Sequence, residues 1–268
     1  MKRIVLGAAT SRLLASRLLF ALAVSLAAPS YADQVATIER VKASVVAVGT
    51  FVRTRTPPFQ FRGTGFVVDD GTLIVTNAHV LPALVDPAKM EVLAILVVAP
   101  DKEGKEQAQV REAKQIAVDL GSDLAVLRIS APALPALKIR GSDGVKEGQE
   151  ILFTGYPIGA VLGPFPATHR GMISAITPIA IPQARAGELD PHTIRRLASG
   201  PFPVFQLDAT AYPGNSGSPI YDPDNGDVLG VINMVFVKST KESALTQPSG
   251  ITYAVPSSHL EELLKKSR

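Results

Sequence analysis

The chain has 268 residues and no cysteine, and its 27 basic and 24 acidic residues give a formal net charge of +3. Without cysteine, a disulfide framework, a thiolate nucleophile and thiolate metal ligands are all excluded. Residues 1–32 hold four of the basic residues and no acidic residue, so the remainder has 23 basic and 24 acidic residues and a net charge of −1. Because no dense Lys/Arg patch is left, we expect no nucleic-acid partner.

The first 32 residues are predicted to be a secretory signal peptide. Four basic residues are followed by an apolar run from Leu18 to Ala28 and then by small residues at Ser30 and Ala32. This order is typical of signal peptides, and we predict cleavage after Ala32. The run spans about 11 residues, whereas a membrane-spanning helix needs about 20, so an uncleaved anchor is the less favoured alternative. We therefore expect no stable membrane insertion after cleavage.

Residues 33–268 consist mainly of short runs rich in Val, Ile, Leu and Phe between turn-forming residues, a pattern typical of a β-barrel or β-sandwich. A helix is predicted at 34–41 and long loops at 53–62 and 178–203. In chain order, strands are predicted at 44–51, 63–68, 72–77, 91–98, 124–129, 150–155, 168–176, 204–208, 228–236 and 250–255. Ten strands are enough for two small barrels, and we place the boundary between them near residues 140–150.

An amphipathic helix is predicted to follow the last strand. Ser258 and Glu261 have the spacing of a capping box, in which each side chain bonds the other residue's backbone amide. Leu260, Leu263 and Leu264 recur on one face, which predicts that this face packs against the barrels.

The strongest local signal for chemistry is the segment 208–219, in which Gly214 and Gly217 flank Ser216. A serine nucleophile needs an exposed oxygen beside backbone amides that can hold an oxyanion, and small neighbours allow the tight turn that presents both. The same residues also suit an ordinary polar β-turn. Taken alone, this segment leaves both interpretations open.

A histidine and a carboxylate with suitable placement precede this serine. His79 directly follows an apolar strand, whereas His169, His192 and His259 are interpreted as surface or capping histidines. A general base of this kind needs a carboxylate that orients its imidazole. Asp123 stands at the entrance to an apolar strand and is the preferred candidate. Asp119 is a nearby alternative.

The order of these residues along the chain is His, Asp, Ser, as in chymotrypsin-like enzymes. An α/β-hydrolase would need the order Ser216, Asp227, His259, but the second glycine of its nucleophile elbow and its alternating helices are missing. A subtilisin-like order with Asp70 before His79 fails on the same absence of helices.

Four segments resemble the HtrA/Deg proteases of the chymotrypsin-like superfamily: GTGF at 63–66, TNAHV at 76–80, SDLAVL at 122–127 and PGNSG at 213–217. Further matches are GYPIG at 155–159, RGMIS at 170–174 and GITYAVP at 250–256. The resemblance implies an all-β, chymotrypsin-like double β-barrel with the active site in the cleft between the barrels. It also implies Ser216 as nucleophile, His79 as base and then acid, and Asp123 as its orienter, with the Gly214 and Ser216 amides as the oxyanion hole.

The resemblance carries further expectations. It places the floor of the pocket for the side chain before the scissile bond near Thr210, and its walls near Ile232, Asn233 and Met234. No carboxylate falls at the floor, so we predict a preference for small or medium aliphatic side chains rather than Arg or Lys. The family usually has glycine where this chain has Ser218. We expect no PDZ peptide-binding module in this chain, and a homo-oligomer is left open.

The predicted function is therefore an exported serine endopeptidase, periplasmic or secreted, that acts on polypeptides without a metal or organic cofactor. A different class of function is a latent or non-cleaving protein with a protease fold, acting as a chaperone or peptide-binding protein. An esterase that uses the same triad is a third alternative.

Overall fold

A computed structural model gives the fold and describes residues 31–100, 103, 106–130, 132–157, 165–178, 202–233 and 250–267. The predicted signal peptide, apart from its last two residues, and most of the predicted loop 178–203 lie outside the described residues. Within the described residues, no helix is long and apolar enough to cross a membrane.

In the described part of the chain, twelve strands form two closed antiparallel barrels. The first barrel, in the order β1-β2-β3-β6-β5-β4, is built from β1 (Val45–Phe51), β2 (Phe59–Val68), β3 (Leu73–Asn77), β4 (Val92–Pro100), β5 (Glu106–Asp119) and β6 (Leu124–Ile129). The second, in the order β10-β11-β12-β9-β8-β7, is built from β7 (Glu150–Gly155), β8 (Ala167–Pro178), β9 (Pro203–Asp208), β10 (Pro219–Tyr221), β11 (Val228–Ile232) and β12 (Ile251–Pro256). The prediction of a double β-barrel is confirmed. The first barrel ends with β6 at Ile129 and the second begins with β7 at Glu150.

The sequences of most strands are continuous apolar runs because both faces of each of these strands are buried. Successive side chains of a strand point to opposite faces. On β1, Val45 and Ala47 pack in the cluster between the barrels, whereas Val46 and Val48 pack inside the first barrel. On β7, Leu152 packs in the cluster between the barrels, and its neighbours pack inside the second barrel. The predicted catalytic residues come from both barrels: His79 and Asp123 lie beside β3 and β6, and Ser216 lies between β9 and β10.

Two strands were not predicted, and each has a physical reason. β5 is mostly polar because most of its side chains face solvent, so it has no apolar run to recognise. β10 has three residues and pairs with β7 and β11 on either side. In addition, β2 begins at Phe59, inside the loop predicted at 53–62.

Two α-helices flank the barrels in the described residues: α1 (Tyr31–Lys42) and α2 (Ser257–Lys266). The leucines predicted to face the barrels from α2 are buried, but the predicted capping box is wrong. The N-cap is Pro256, two residues before Ser258, so the helix starts directly after β12 and Ser258 lies in its first turn. The Oγ of Ser142 accepts a hydrogen bond from the backbone N of Ser258 at 3.2 Å, and the Ser257 hydroxyl donates to the carbonyl of Arg140.

Candidate active site

His79 lies in a short 3-10 turn that begins directly after β3. β3 pairs with β6 up to Asn77 and Leu124, so the end of one strand lies beside the start of the other. The Asn77 Nδ2 and the Ala78 N both donate to the carbonyl of Asp123, at 3.1 and 3.0 Å. The position of His79 relative to Asp123 is therefore set by strand register and backbone hydrogen bonds.

The carboxylate of Asp123 is fully buried, at 0% exposure, and accepts hydrogen bonds from three donors. Its Oδ1 accepts from the backbone N of His79 at 3.0 Å, and its Oδ2 lies 2.6 Å from His79 Nδ1 and 2.7 Å from Asn233 Nδ2. Asp123 has a left-handed backbone with φ of 57°, which aspartate tolerates better than most residues. This backbone turns the carboxylate back towards His79.

The alternative carboxylate, Asp119, has a different task in the structure. Its Oδ1 accepts from Gly121 N at 2.9 Å and its Oδ2 accepts from Ser122 Oγ at 2.7 Å. Asp119 therefore closes the turn that leads into β6, and Asp123 is the residue that contacts His79.

Ser216 lies in the loop 209–218, between β9 and β10. Gly214 and Gly217 have φ values of 102° and 88°, a region that L side chains rarely adopt. The Gly217 N donates to the carbonyl of Ile232 at 3.0 Å, and the Ile232 N donates to the carbonyl of Ser218 at 2.9 Å. The two glycines thus allow a tight turn that is tied to the neighbouring strand β11.

The Oγ of Ser216 lies 2.9 Å from His79 Nε2. Ser216 is 6% exposed and the His79 side chain is 25% exposed, so the pair is reached from one side only. Among the described residues, no acceptor bonds the backbone amides of Gly214 and Ser216. Two donors beside a serine oxygen are thus left for a group that enters from outside.

The residues predicted to line the substrate pocket differ in exposure and in their contacts. Thr210 is partly exposed. Ile232 is 0% exposed and packs in the core of the second barrel. Asn233 is also 0% exposed, and its amide group bonds Asp123, a role that the sequence did not reveal. Met234 lies outside the described residues.

The histidines read as surface or capping residues are half-buried where the structure describes them, which corrects that reading. His169 stacks on Phe153 with ring centroids 4.8 Å apart, and burial lowers its pKa. His259 makes an edge contact with Phe202 at 4.7 Å, and burial lowers its pKa as well. His192 lies outside the described residues.

Ser218, at the position where the family usually has glycine, is fully buried at the end of this loop. Its Oγ fills the space beside Gly155, where a Cβ would lie 1.9 Å from it. In the described part of the chain this hydroxyl has no hydrogen-bond partner. The absence of a side chain at Gly155 of β7 therefore provides the space that the Ser218 hydroxyl occupies.

Comparisons with known proteins show which family the chain belongs to. A family model described as a trypsin-like peptidase domain matches residues 63–231. A probable periplasmic serine endoprotease, DegP-like, from Halomonas elongata is 30% identical over 72% of this chain and 32% of its own length. Human serine protease HTRA4 is 28% identical over 85% of this chain and 40% of its own length. The chain thus spans about a third of the length of the first bacterial relatives that it matches.

Solved structures show the same architecture. The HtrA-type protease AlgW with a tripeptide has a TM-score of 0.57 and 26% identity, covering 88% of this chain and 63% of that one. Deg5 has a TM-score of 0.60 and 22% identity, covering 88% of this chain and 93% of that one. This similarity shows that the two proteins share a fold. The chain therefore belongs to the trypsin-like peptidase family and, within it, to the HtrA-type serine proteases.

Proposed function

We propose that this chain is an exported serine endopeptidase that cleaves polypeptides through an acyl-enzyme on Ser216. The observation that carries the proposal is the hydrogen-bonded line from Asp123 through His79 to Ser216, with separations of 2.6 and 2.9 Å. The contact between Ser216 and His79 is short enough for the proton transfer that the reaction needs, and the contact between His79 and Asp123 is a hydrogen bond that orients the imidazole.

In the first half of the reaction, Ser216 Oγ attacks the carbonyl carbon of the scissile bond while His79 Nε2 takes its proton. The carbonyl oxygen becomes an oxyanion and accepts hydrogen bonds from the Gly214 and Ser216 amides. His79 then gives the proton to the leaving amine nitrogen, the C–N bond breaks, and the acyl group stays on Ser216.

In the second half, a water molecule attacks the acyl carbon and His79 takes one of its protons. The new tetrahedral intermediate collapses, the proton returns to Ser216, and the carboxylic acid leaves. Asp123 stays ionised throughout, holds the Nδ1–H tautomer of His79 and stabilises the imidazolium. The bond from Asn233 keeps the Asp123 carboxylate oriented for this task.

Export is part of the proposal because the predicted signal peptide agrees with relatives that are named periplasmic. For the side chain before the scissile bond, we propose a small or medium aliphatic group. This preference rests on the uncharged Thr210 at the proposed floor. The nearest acidic residue in the sequence, Asp208, is two positions earlier and belongs to β9.

The test treats the protein, purified after export from a bacterial host, with a fluorophosphonate probe and with unfolded casein. We expect labelling and cleavage in the wild type and neither in Ser216→Ala, with unchanged circular dichroism. A folded wild type that neither labels nor cleaves would overturn the proposal and favour the non-cleaving peptide-binding protein. Turnover of small esters that exceeds turnover of every peptide would favour the esterase.

A further inference from the structure

Thr64 of β2 contacts both residues of the proposed oxyanion hole. Its Oγ1 donates to the carbonyl of Gly214 at 2.7 Å, and its backbone N donates to the carbonyl of Ser216 at 2.9 Å. One fully buried residue of the first barrel therefore holds the turn that carries the nucleophile in the second barrel.

The hydroxyl of Thr64 has a defined orientation. The backbone N of Tyr156 lies 3.0 Å from Thr64 Oγ1 and can only donate, so the hydroxyl accepts from it. The hydroxyl proton then goes to Gly214, because a carbonyl can only accept. A side chain with both a donor and an acceptor is needed at this position.

The same residue is also connected to the strand that carries His79. Thr76 of β3, three positions before His79, donates from its Oγ1 to the carbonyl of Thr64 at 2.7 Å. Thr76 is fully buried, as is Thr64. One chain of hydrogen bonds thus runs from the strand of the proposed base to the loop of the proposed nucleophile.

The loop lies directly against β2. A Cβ on Gly217 would lie 2.0 Å from the Thr64 carbonyl oxygen and 2.6 Å from Thr76 Oγ1. Only a residue without a Cβ allows the loop to lie this close to Thr64 and Thr76.

We infer that Thr64 is a positioning residue for the proposed hydrolysis: it holds Gly214 and Ser216 so that their amides face the developing oxyanion. This inference rests on the proposed function. Oxyanion donors act only within about 2.7–3.1 Å of the oxygen, and a misplacement of about 1 Å can reduce the rate about 10²-fold. Loss of the Thr64 hydroxyl should therefore lower turnover and leave substrate binding nearly unchanged.

The test compares Thr64→Val, which keeps the shape and removes the hydroxyl, with Thr64→Ser, which keeps the hydroxyl. The matched control is Thr154→Val. Thr154 is another fully buried threonine, and its hydroxyl bonds Thr168 and Tyr221 at 2.8 and 2.9 Å rather than the loop. For each variant, kcat and KM on a peptide substrate, the rate of fluorophosphonate labelling and Tm are measured.

We expect Thr64→Val to lower kcat and the labelling rate about 10²-fold with KM within about twofold, and Thr64→Ser to stay within about threefold of the wild type. Thr154→Val should lower Tm and leave kcat unchanged. Near wild-type turnover in Thr64→Val, or an equal loss of kcat in Thr154→Val, would overturn the inference and leave the proposed function standing. A wild type that does not label would overturn both.

If Thr64→Val does not fold, a substitution of Thr76, which bonds Thr64 but not the loop, tests the same inference. Thr76→Val removes the bond to the Thr64 carbonyl and leaves the bonds that Thr64 donates. We expect a smaller loss of kcat in the same direction, about tenfold, with KM unchanged. Unchanged kcat in Thr76→Val together with a large loss in Thr64→Ser would overturn the inference.

Discussion

The first barrel presents His79 and Asp123 from the ends of two strands that pair with each other, whereas the second barrel presents Ser216 from the loop 209–218. In the first barrel, strand register and backbone hydrogen bonds set the geometry. In the second barrel, the geometry depends on two glycines with positive φ and on hydrogen bonds that come from the first barrel. The proposed base and its carboxylate are therefore positioned mainly within the first barrel, with one hydrogen bond to Asp123 from Asn233, which follows β11 of the second. The proposed nucleophile is positioned across the interface.

This difference predicts how substitutions act. In the first barrel, a change of side-chain chemistry should reduce activity while the backbone stays in place. In the second barrel, a change that disturbs the backbone of the loop should reduce activity even where no reacting atom is touched.

The largest effect is expected for Asp123→Asn in the first barrel. Asparagine tolerates the left-handed backbone, so the fold should remain. Its amide cannot hold the Nδ1–H tautomer of His79, and the loss in kcat for such a change is about 10⁴-fold. Steady-state kinetics and thermal melting check this. Asp119→Asn is the control and should stay near wild-type activity; an equal loss there would mean that the turn, rather than the contact with His79, decides activity.

A smaller but still large effect is expected for Gly217→Ala in the second barrel. Its Cβ would lie 2.0 Å from the Thr64 carbonyl oxygen, so the loop must move away from β2. The control is Gly148→Ala, since Gly148 also has a positive φ, 85°, but has open space around its Cβ position.

We expect Gly217→Ala to reduce the fluorophosphonate labelling rate by about 10²-fold or more. Gly148→Ala should lose about 1–2 kcal/mol in the free energy of unfolding, the usual cost of a left-handed backbone, with labelling unchanged. Urea unfolding and labelling kinetics give both quantities. Equal labelling rates in the two variants would show that the close approach to β2 does not control the nucleophile.

The smallest effect concerns the loss of stability at acidic pH, which we assign to His169 of the second barrel. Burial lowers the pKa of His169 below its ordinary value of 6.5. Below about pH 6.5 the unfolded chain then binds more protons than the folded protein, so the free energy of unfolding falls as the pH falls towards the lowered pKa. At higher pH this contribution is fully present.

His169→Phe preserves stacking on Phe153 and removes the titration. Between about pH 7 and pH 5 its free energy of unfolding should decline less than that of the wild type. Urea unfolding at several pH values measures the slope. Parallel curves for the two proteins would refute the assignment.

Much of the fold was predictable because most strands are buried on both faces. β6 and β7 have the predicted bounds, 124–129 and 150–155, since each is an apolar run that turn residues delimit. β5 was not predictable in this way because solvent-facing residues dominate it. The start of α2 depends on Ser142, a residue more than a hundred positions away, and local spacing pointed to a different cap.

For the candidate site, the three side chains of the proposed triad could be named because each lies in a local pattern next to a strand or a tight turn. The roles of Asn233 and Thr64 could not be read in this way. Asn233 looked like a pocket wall, and its bond to Asp123 exists only once the barrels are packed. Thr64 lies in the GTGF motif, but its partner Gly214 is 150 positions away.

Because the hydrogen bonds between the barrels join distant parts of the chain, the proposed site is completed late in synthesis. A growing chain carries His79 and Asp123 well before it carries Ser216, and Thr64 has no Gly214 to hold until the second half has been made. The second barrel cannot close until β12 is present to pair with β11 and β9. The proposed site is therefore complete only when the first and the last strands of the two barrels have all been made.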